Sequence, residues 1–205
     1  MKVKEVALIS IFSALAIVVA YSKGLAIPFL PGIVEFMSVI IFISGYSFGW
    51  LVGGLLGVIS LTIYMLIPYP FAHPVAWFFT ISPVLLFIMA ILGSLYGVVG
   101  GIIGKWRNQN LERIELKFVL EMGLWGAVLT FIYDILSSVG FFLAYPVYPS
   151  VLDAIYLTFI PLYYPYPPIL HTVTNTLIFA IIAPPLIKAI KTLPIFIREE
   201  INDHP

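Results

Sequence analysis

The chain has 205 residues, 61% of them hydrophobic and only 10% charged, with a formal net charge of zero and a mean hydropathy of +1.09. A soluble domain carries about a quarter charged residues, so the composition points to an all-α integral membrane protein, with no pull toward nucleic acid. The absence of cysteine excludes disulfides and cysteine-based metal sites, and apolar runs of 18–25 residues exclude a barrel of alternating strands of about ten.

Residues 1–22 begin with Lys2 and Lys4 and continue as an apolar helix. A signal peptide is the competing reading, since Val18-Val19-Ala20 loosely fits a cleavage site. The apolar segment is long for that role, and the chain stays membranous after it. A loop with two prolines follows, Gly24 to Gly32, with Lys23 as the basic residue beside it. Then comes Ile33 to Ile67, an almost unbroken apolar run whose one charge is Glu35. Its 35 residues as one helix would reach roughly 50 Å, far beyond a hydrocarbon core of about 30 Å. As two helices it needs a turn, and Gly45-Tyr46-Ser47-Phe48-Gly49 is the best place for one.

Pro68 to Pro74 is turn-rich and unfit for regular helix. Val75 to Gly104 reads as another span, with Pro83 kinking or opening its first turns. Lys105 to Lys117 is the most polar stretch and must lie in water. Phe118 to Phe142 is a further span and contains Asp134. Residues 143–167 form a loop dense in tyrosine and proline, within which Ser150 to Ile160 can form a short interfacial helix capped by Ser150. The last span starts near Pro168, passes His171 and Asn175, meets Pro184-Pro185, and ends among Lys188, Lys191 and Arg198.

Basic residues decide whether 33–67 is one helix or two, because they concentrate in cytoplasmic loops. Two helices give six spans with both termini on one side. That side then holds Lys2, Lys4, Lys105, Arg107, Arg113, Lys117, Lys188, Lys191 and Arg198, all of the ten basic residues but Lys23. One helix would send the central loop and the C-terminus outside. The expectation is therefore six transmembrane helices, near 5–22, 33–46, 48–67, 76–104, 118–142 and 168–190. Both the N- and C-termini are cytoplasmic in this reading, and the protein is a multi-pass component of the cell membrane.

Gly49, Gly53 and Gly57 recur at four-residue spacing, as do Gly93, Gly97 and Gly101. Such stripes let helix backbones approach closely in lipid. The two segments, FGWLVGGLLG and LGSLYGVVGG, are alike enough for an ancient duplication, and independent selection of small residues accounts for them equally.

With this topology Asp134 and Asn175 both lie roughly 10–12 Å below the outer surface, at about 1.5 Å per residue. His171 sits one turn above Asn175 on the same face. Glu35 is at the outer end of the second helix and His73 is in the outer loop before the fourth. Polar groups thus gather in the outer half of the bilayer, which suggests a pocket open to the outside. An intramembrane carboxylate is a functional candidate because it is costly. Asp134 could also simply bond a neighbouring helix, and His171 and Asn175 could be interhelical hydrogen-bond glue. Glu35 and His73 could be solvated, and the tyrosines could form an interfacial belt. A belt does not explain Tyr163-Tyr164-Pro165-Tyr166-Pro167-Pro168 feeding directly into His171. Rigid aromatics beside buried donors and acceptors suit a planar, partly polar small molecule.

No Walker A sequence or His-Glu-x-x-His occurs. ATP hydrolysis by that route and metalloprotease chemistry therefore have no basis. The expectation is a protein that is not an enzyme and has neither metal nor cofactor.

The corner GYSFGWLVGGLLG, the opening KVKEVALISIFSALAIVVAY and the closing HTVTNTLIFAIIAPPLIKAI together resemble the substrate-binding S components of energy-coupling factor (ECF) vitamin transporters. Phe48, Gly49, Gly53 and Gly57 look like that family's phenylalanine-glycine turn and glycine-spaced third helix. The family's first helix often carries Ala-x-x-x-Ala; here Ala7 is followed four places on by Ile11. The nearest small pairs are Ser10 with Ala14 and Ala16 with Ala20.

The resemblance implies high-affinity capture of a small water-soluble vitamin or related micronutrient from outside, with Gly24 to Gly32 gating the site. It also implies a transmembrane coupling subunit and two cytoplasmic ATPases as partners. The expected substrate-binding residues are Glu35, Trp77, Asp134, Tyr163, Tyr164, His171 and Asn175. The expected partner-docking residues are Ser10, Ala14, Gly49, Gly53 and Gly57. Asp134 and Glu35 favour a cationic or donor-rich heterocycle, of thiamine-like or pyrimidine type. The competing functions are a self-sufficient oligomeric small-molecule channel or facilitator, and a ligand-free membrane assembly factor.

Overall fold

A computed structural model of the chain describes residues 1–26, 35–66, 82–107, 113–145, 147–159 and 168–192. Among these residues it forms seven α-helices and no strand: α1 Val3–Ala26, α2 Phe36–Phe48, α3 Trp50–Leu66, α4 Pro83–Arg107, α5 Leu116–Ala144, α6 Val151–Phe159 and α7 Pro168–Lys191. α1, α4, α5 and α7 each hold a segment long and apolar enough to cross a membrane, whereas α2 and α3 are shorter apolar helices of 13 and 17 residues.

The long apolar run breaks at Gly49. Its φ of 99° and ψ of 161° lie where glycine alone is comfortable. Its N–H still donates to the Gly45 carbonyl at 2.8 Å, so α2 closes just as the chain turns. Four residues to either side, Gly45 and Gly53 face each other so closely that a Cβ on Gly53 would overlap the Gly45 backbone. α2 and α3 are a folded-back hairpin rather than one long helix.

Contacts across the bundle fix the direction of every helix. Gly57 lies on Gly93, Gly53 on Gly97 and Trp50 on Gly101; one number falls as the other rises, so α3 and α4 are antiparallel. Gly45 meets the Gly97 carbonyl, and the Phe42 and Tyr46 carbonyls meet Gly100 and Gly104, so α2 runs parallel to α4. Ile88 packs on Gly140 and Tyr96 on Thr130, making α4 and α5 antiparallel. Phe179 packs on Gly126 and His171 on Asp134, making α5 and α7 antiparallel. The Tyr21 hydroxyl donates to the Tyr64 carbonyl at 3.2 Å, and Phe12 meets Phe48, the last residue of α2 at the corner where α3 starts, edge-on at 5.1 Å, which sets α1 beside α3 in the same sense. The directions of α1, α2, α3, α4, α5 and α7 therefore alternate.

This alternation gives the bundle two unlike ends. One collects Lys2, Lys4, Lys105, Arg107, Arg113, Lys117, Lys188 and Lys191. There Arg107, the last residue of α4, pairs with Glu121 on α5 and lies 5.5 Å from the Phe118 ring centre. Lys188 and Lys191 occupy the last turn of α7, where a cation complements the helix dipole. The other end collects the last turns of α1, α3 and α5 and the first turns of α2, α4 and α7. Between them, Phe42, Tyr96 and Phe179 form a buried aromatic core that joins α2, α4 and α7, with Phe42 and Tyr96 both ringed against Phe179.

Prolines sit where helices begin. Pro83 is the first residue of α4, preceded by Ser82, whose hydroxyl accepts the Leu85 N–H at 3.4 Å. Pro83 therefore opens the helix and puts no kink in it; its missing N–H is among those a helix start leaves unpaired anyway. Pro168 opens α7 in the same way, and that helix runs on through Pro184 and Pro185 to Lys191. α6 begins at a reciprocal cap: the Ser150 hydroxyl accepts the Asp153 N–H at 3.2 Å and donates to the Asp153 carboxylate at 2.7 Å. Its far end places Phe159 against Phe131 at 5.8 Å between ring centres. Phe131 lies about 20 Å along α5 from Ala144 at 1.5 Å per residue, so the far end of α6 packs beside the middle of α5.

Candidate functional site

The polar residues of α5 and α7 meet near the end opposite the basic cluster. Thr130 and Asp134 are one helical turn apart on α5, and His171 and Asn175 are one turn apart on α7. Because these helices are antiparallel, each pair stacks on one face and the two pairs meet as a four-residue array. His171 Nδ1 lies 3.0 and 3.1 Å from the two Asp134 carboxylate oxygens. Its Nε2 lies 3.1 Å from the Asn175 amide nitrogen. That same amide nitrogen donates to the Thr130 hydroxyl at 3.1 Å, and Tyr96 on α4 donates to Thr130 at 3.4 Å. The Asn175 carbonyl oxygen accepts the Glu35 backbone N–H at 3.2 Å. Four helices thus join at one buried chain of hydrogen bonds.

Counting donors orients the whole array. Asn175 Nδ2 has two hydrogens, one for Thr130 and one for His171 Nε2, so Nε2 is an acceptor and the ring proton is on Nδ1. Nδ1–H then donates to Asp134. Turning the amide over would put its oxygen against the Thr130 hydroxyl and its NH2 against the Glu35 N–H, two donors face to face. Asn175 is 0% exposed, and every buried amide group in it has a partner, as a buried polar group requires. Asp134 is 7% and His171 8% exposed. Among the described residues the Asp134 carboxylate accepts from His171 alone, which leaves lone pairs for a further donor. Ser137 and Ser138 bond the Asp134 backbone carbonyl and leave its carboxylate untouched.

The structure therefore brings Asp134, His171 and Asn175 together and adds the Glu35 backbone, which enters the array just before α2 begins. Trp77, Tyr163 and Tyr164 lie outside the described residues. Thr130 and Tyr96 complete the array and were not among the residues singled out from sequence. The signal for Thr130 was present: it precedes Asp134 by four residues, as His171 precedes Asn175. Among the described residues no group of three or more His, Asp or Glu is arranged to hold a metal.

The residues expected to dock a partner divide into two sets. Ser10 and Ala14 are exposed on α1. Gly53 and Gly57 are buried against Gly97 and Gly93 of the same chain, and Gly49 is the half-buried corner of the hairpin. The small size of Gly53 and Gly57 therefore serves contact between α3 and α4.

The model of one protein family, described as the substrate-specific component of the ECF transporter, matches residues 4–197. No curated protein and no solved structure matches the chain.

Proposed function

The chain belongs to the family of ECF transporter substrate-specific components, and from this we propose that it captures a small water-soluble vitamin or related micronutrient outside the cell. Members of the family are transport-specificity subunits and not enzymes, and membership implies a small-molecule substrate and an ECF module as partner. In our reading the six alternating helices each cross the cell membrane, with both termini and the basic end in the cytoplasm.

The observation that carries the reading is the buried array of Asp134, His171, Asn175 and Thr130 at the end away from the basic residues. An intramembrane carboxylate is costly and marks a pathway or site by default. The open lone pairs of Asp134 suit a cationic or donor-rich group on the ligand. Trp77, Tyr163 and Tyr164 supply stacking surfaces in this proposal, and Glu35 contributes from the start of α2. Asn175 holds both His171 and the Glu35 backbone, so it sets the site's shape.

The exposed Ser10 and Ala14 face of α1 is the proposed docking surface for the transmembrane coupling subunit, whose cytoplasmic ATPases supply the energy. A self-sufficient oligomeric facilitator would need the glycine stripes between subunits. Gly53, Gly57, Gly93 and Gly97 are instead spent on contacts within one chain.

Native mass spectrometry of the full chain, freshly purified from its host without added ligand, tests the capture role. The expected result is a stoichiometric adduct of vitamin size, whose mass names the substrate. A bare protein that stays bare after soaking in a mixed vitamin panel would contradict it.

A further inference from the structure

A second feature lies at the opposite end of the bundle, where α3 starts and α4 finishes. An open groove of about 320 Å³ is lined by Trp50, Val98, Gly101, Ile102, Lys105 and Trp106. Gly101 makes its floor possible: a Cβ there would overlap the Trp50 backbone, so only glycine lets α3 start against α4. Trp50 is 56% and Trp106 80% exposed, an unusual exposure for two indoles on one groove. They lie level with the basic cluster, where tryptophan is favoured because its ring is apolar and its N–H is wet. Lys105 is the one charged side chain of the described lining, and no carboxylate shares the groove. Its neighbour Arg107 is already engaged by Glu121 and Phe118.

We infer that this groove holds one anionic phospholipid from the leaflet at the basic end, with its phosphate on Lys105 and an acyl chain lying between Trp50 and Trp106. The occupant follows from the surroundings. The walls are apolar and face outward among exposed Leu51, Ile59 and Ile102, so hydrocarbon reaches them without crossing water. The lone ammonium sits where a lysine stem can lie along the apolar wall and carry its charge to headgroup level. A zwitterionic headgroup would fill the same walls and gain less from Lys105.

The test uses the full chain in detergent, titrated with dioleoyl phosphatidylglycerol or with dioleoyl phosphatidylcholine, and counts retained lipids by native mass spectrometry. The first phosphatidylglycerol is expected to be retained about fivefold better than phosphatidylcholine, the preference one lysine supplies near an anionic surface. Lys105→Gln should erase that preference, and Lys105→Arg should keep it. Trp106→Ala should weaken retention of both lipids together. Equal retention of the two lipids by the unaltered chain would overturn the inference, as would a preference that survives Lys105→Gln. So would a Trp106→Ala chain that holds lipid normally but no longer assembles with the coupling subunit, since the groove would then belong to that protein.

Discussion

Asp134→Asn is expected to lower affinity for the captured ligand about thirtyfold or more while leaving the fold nearly unchanged. The substitution is close to isosteric, and the new side-chain oxygen still accepts the proton on His171 Nδ1. What it removes is the negative charge offered to the ligand; truncating a buried charge pair costs about 2–5 kcal/mol, and each 1.4 kcal/mol is about tenfold in affinity. Asn175→Ala should behave differently. It takes away the oxygen that accepts the Glu35 N–H and the amide that donates to His171 Nε2, and it leaves the Thr130 hydroxyl with Tyr96 alone among the described residues. His171 is buried, and an unsatisfied buried group costs about 1–3 kcal/mol. That variant should lose both stability and affinity. Isothermal titration with the ligand, beside thermal unfolding in the same detergent, separates the two effects. If the array were only interhelical glue, Asp134→Asn would leave affinity untouched.

Gly97→Leu should prevent the bundle from forming. A Cβ at Gly97 would overlap the Gly53 backbone, and one at Gly45 or Gly53 would in turn overlap or crowd the Gly97 carbonyl. Three helices meet at this one point, so no single side chain can move to make room. Overpacking a well-packed core costs about 1–3 kcal/mol even where side chains can adjust, and here the obstruction is backbone. Gly49→Ala is the comparison that isolates geometry from crowding. Nothing lies within 4 Å of the position its Cβ would take, so its cost is the positive φ alone, about 1–3 kcal/mol. Gly97→Leu should yield no monodisperse protein on size exclusion, while Gly49→Ala elutes normally and unfolds at a lower temperature. A Gly97→Leu chain that folds and melts like the parent would refute the register of α2, α3 and α4.

Glycine spacing and charge make much of this fold legible in the sequence. Ile33 to Ile67 is too long for one crossing and has its weak point at Gly45 to Gly49; the chain turns at Gly49. The distribution of lysine and arginine separated two ends, and the alternating helices place eight of those residues together. The glycine stripes were legible as packing faces. Their partner was not, because four-residue spacing says that a backbone comes close without saying whose. In the structure Gly53 meets Gly97 and Gly57 meets Gly93.

Depth and periodicity single out Asp134, His171 and Asn175, which the structure brings into one hydrogen-bonded array. Thr130 and Tyr96 escaped because a threonine or tyrosine in an apolar helix is ordinary until its partner is known. The role of Glu35 also changed. Sequence drew attention to its carboxylate, whereas the hydrogen bond to Asn175 comes from its backbone N–H, a group that every residue but proline carries. Trp77, Tyr163 and Tyr164 lie outside the described residues, and their part in the site rests on the proposal.

Energy supply is what separates a capture subunit from a channel, so the decisive measurement is uptake of the ligand into proteoliposomes carrying this chain. It is made with and without the coupling subunit and ATPases of an ECF module, and with and without ATP inside the module's nucleotide compartment. Accumulation against a gradient only when the chain, the module and ATP are all present is the predicted result, with binding but no flux by the chain alone. Flux through the chain without partners or ATP would contradict the account and establish a facilitator.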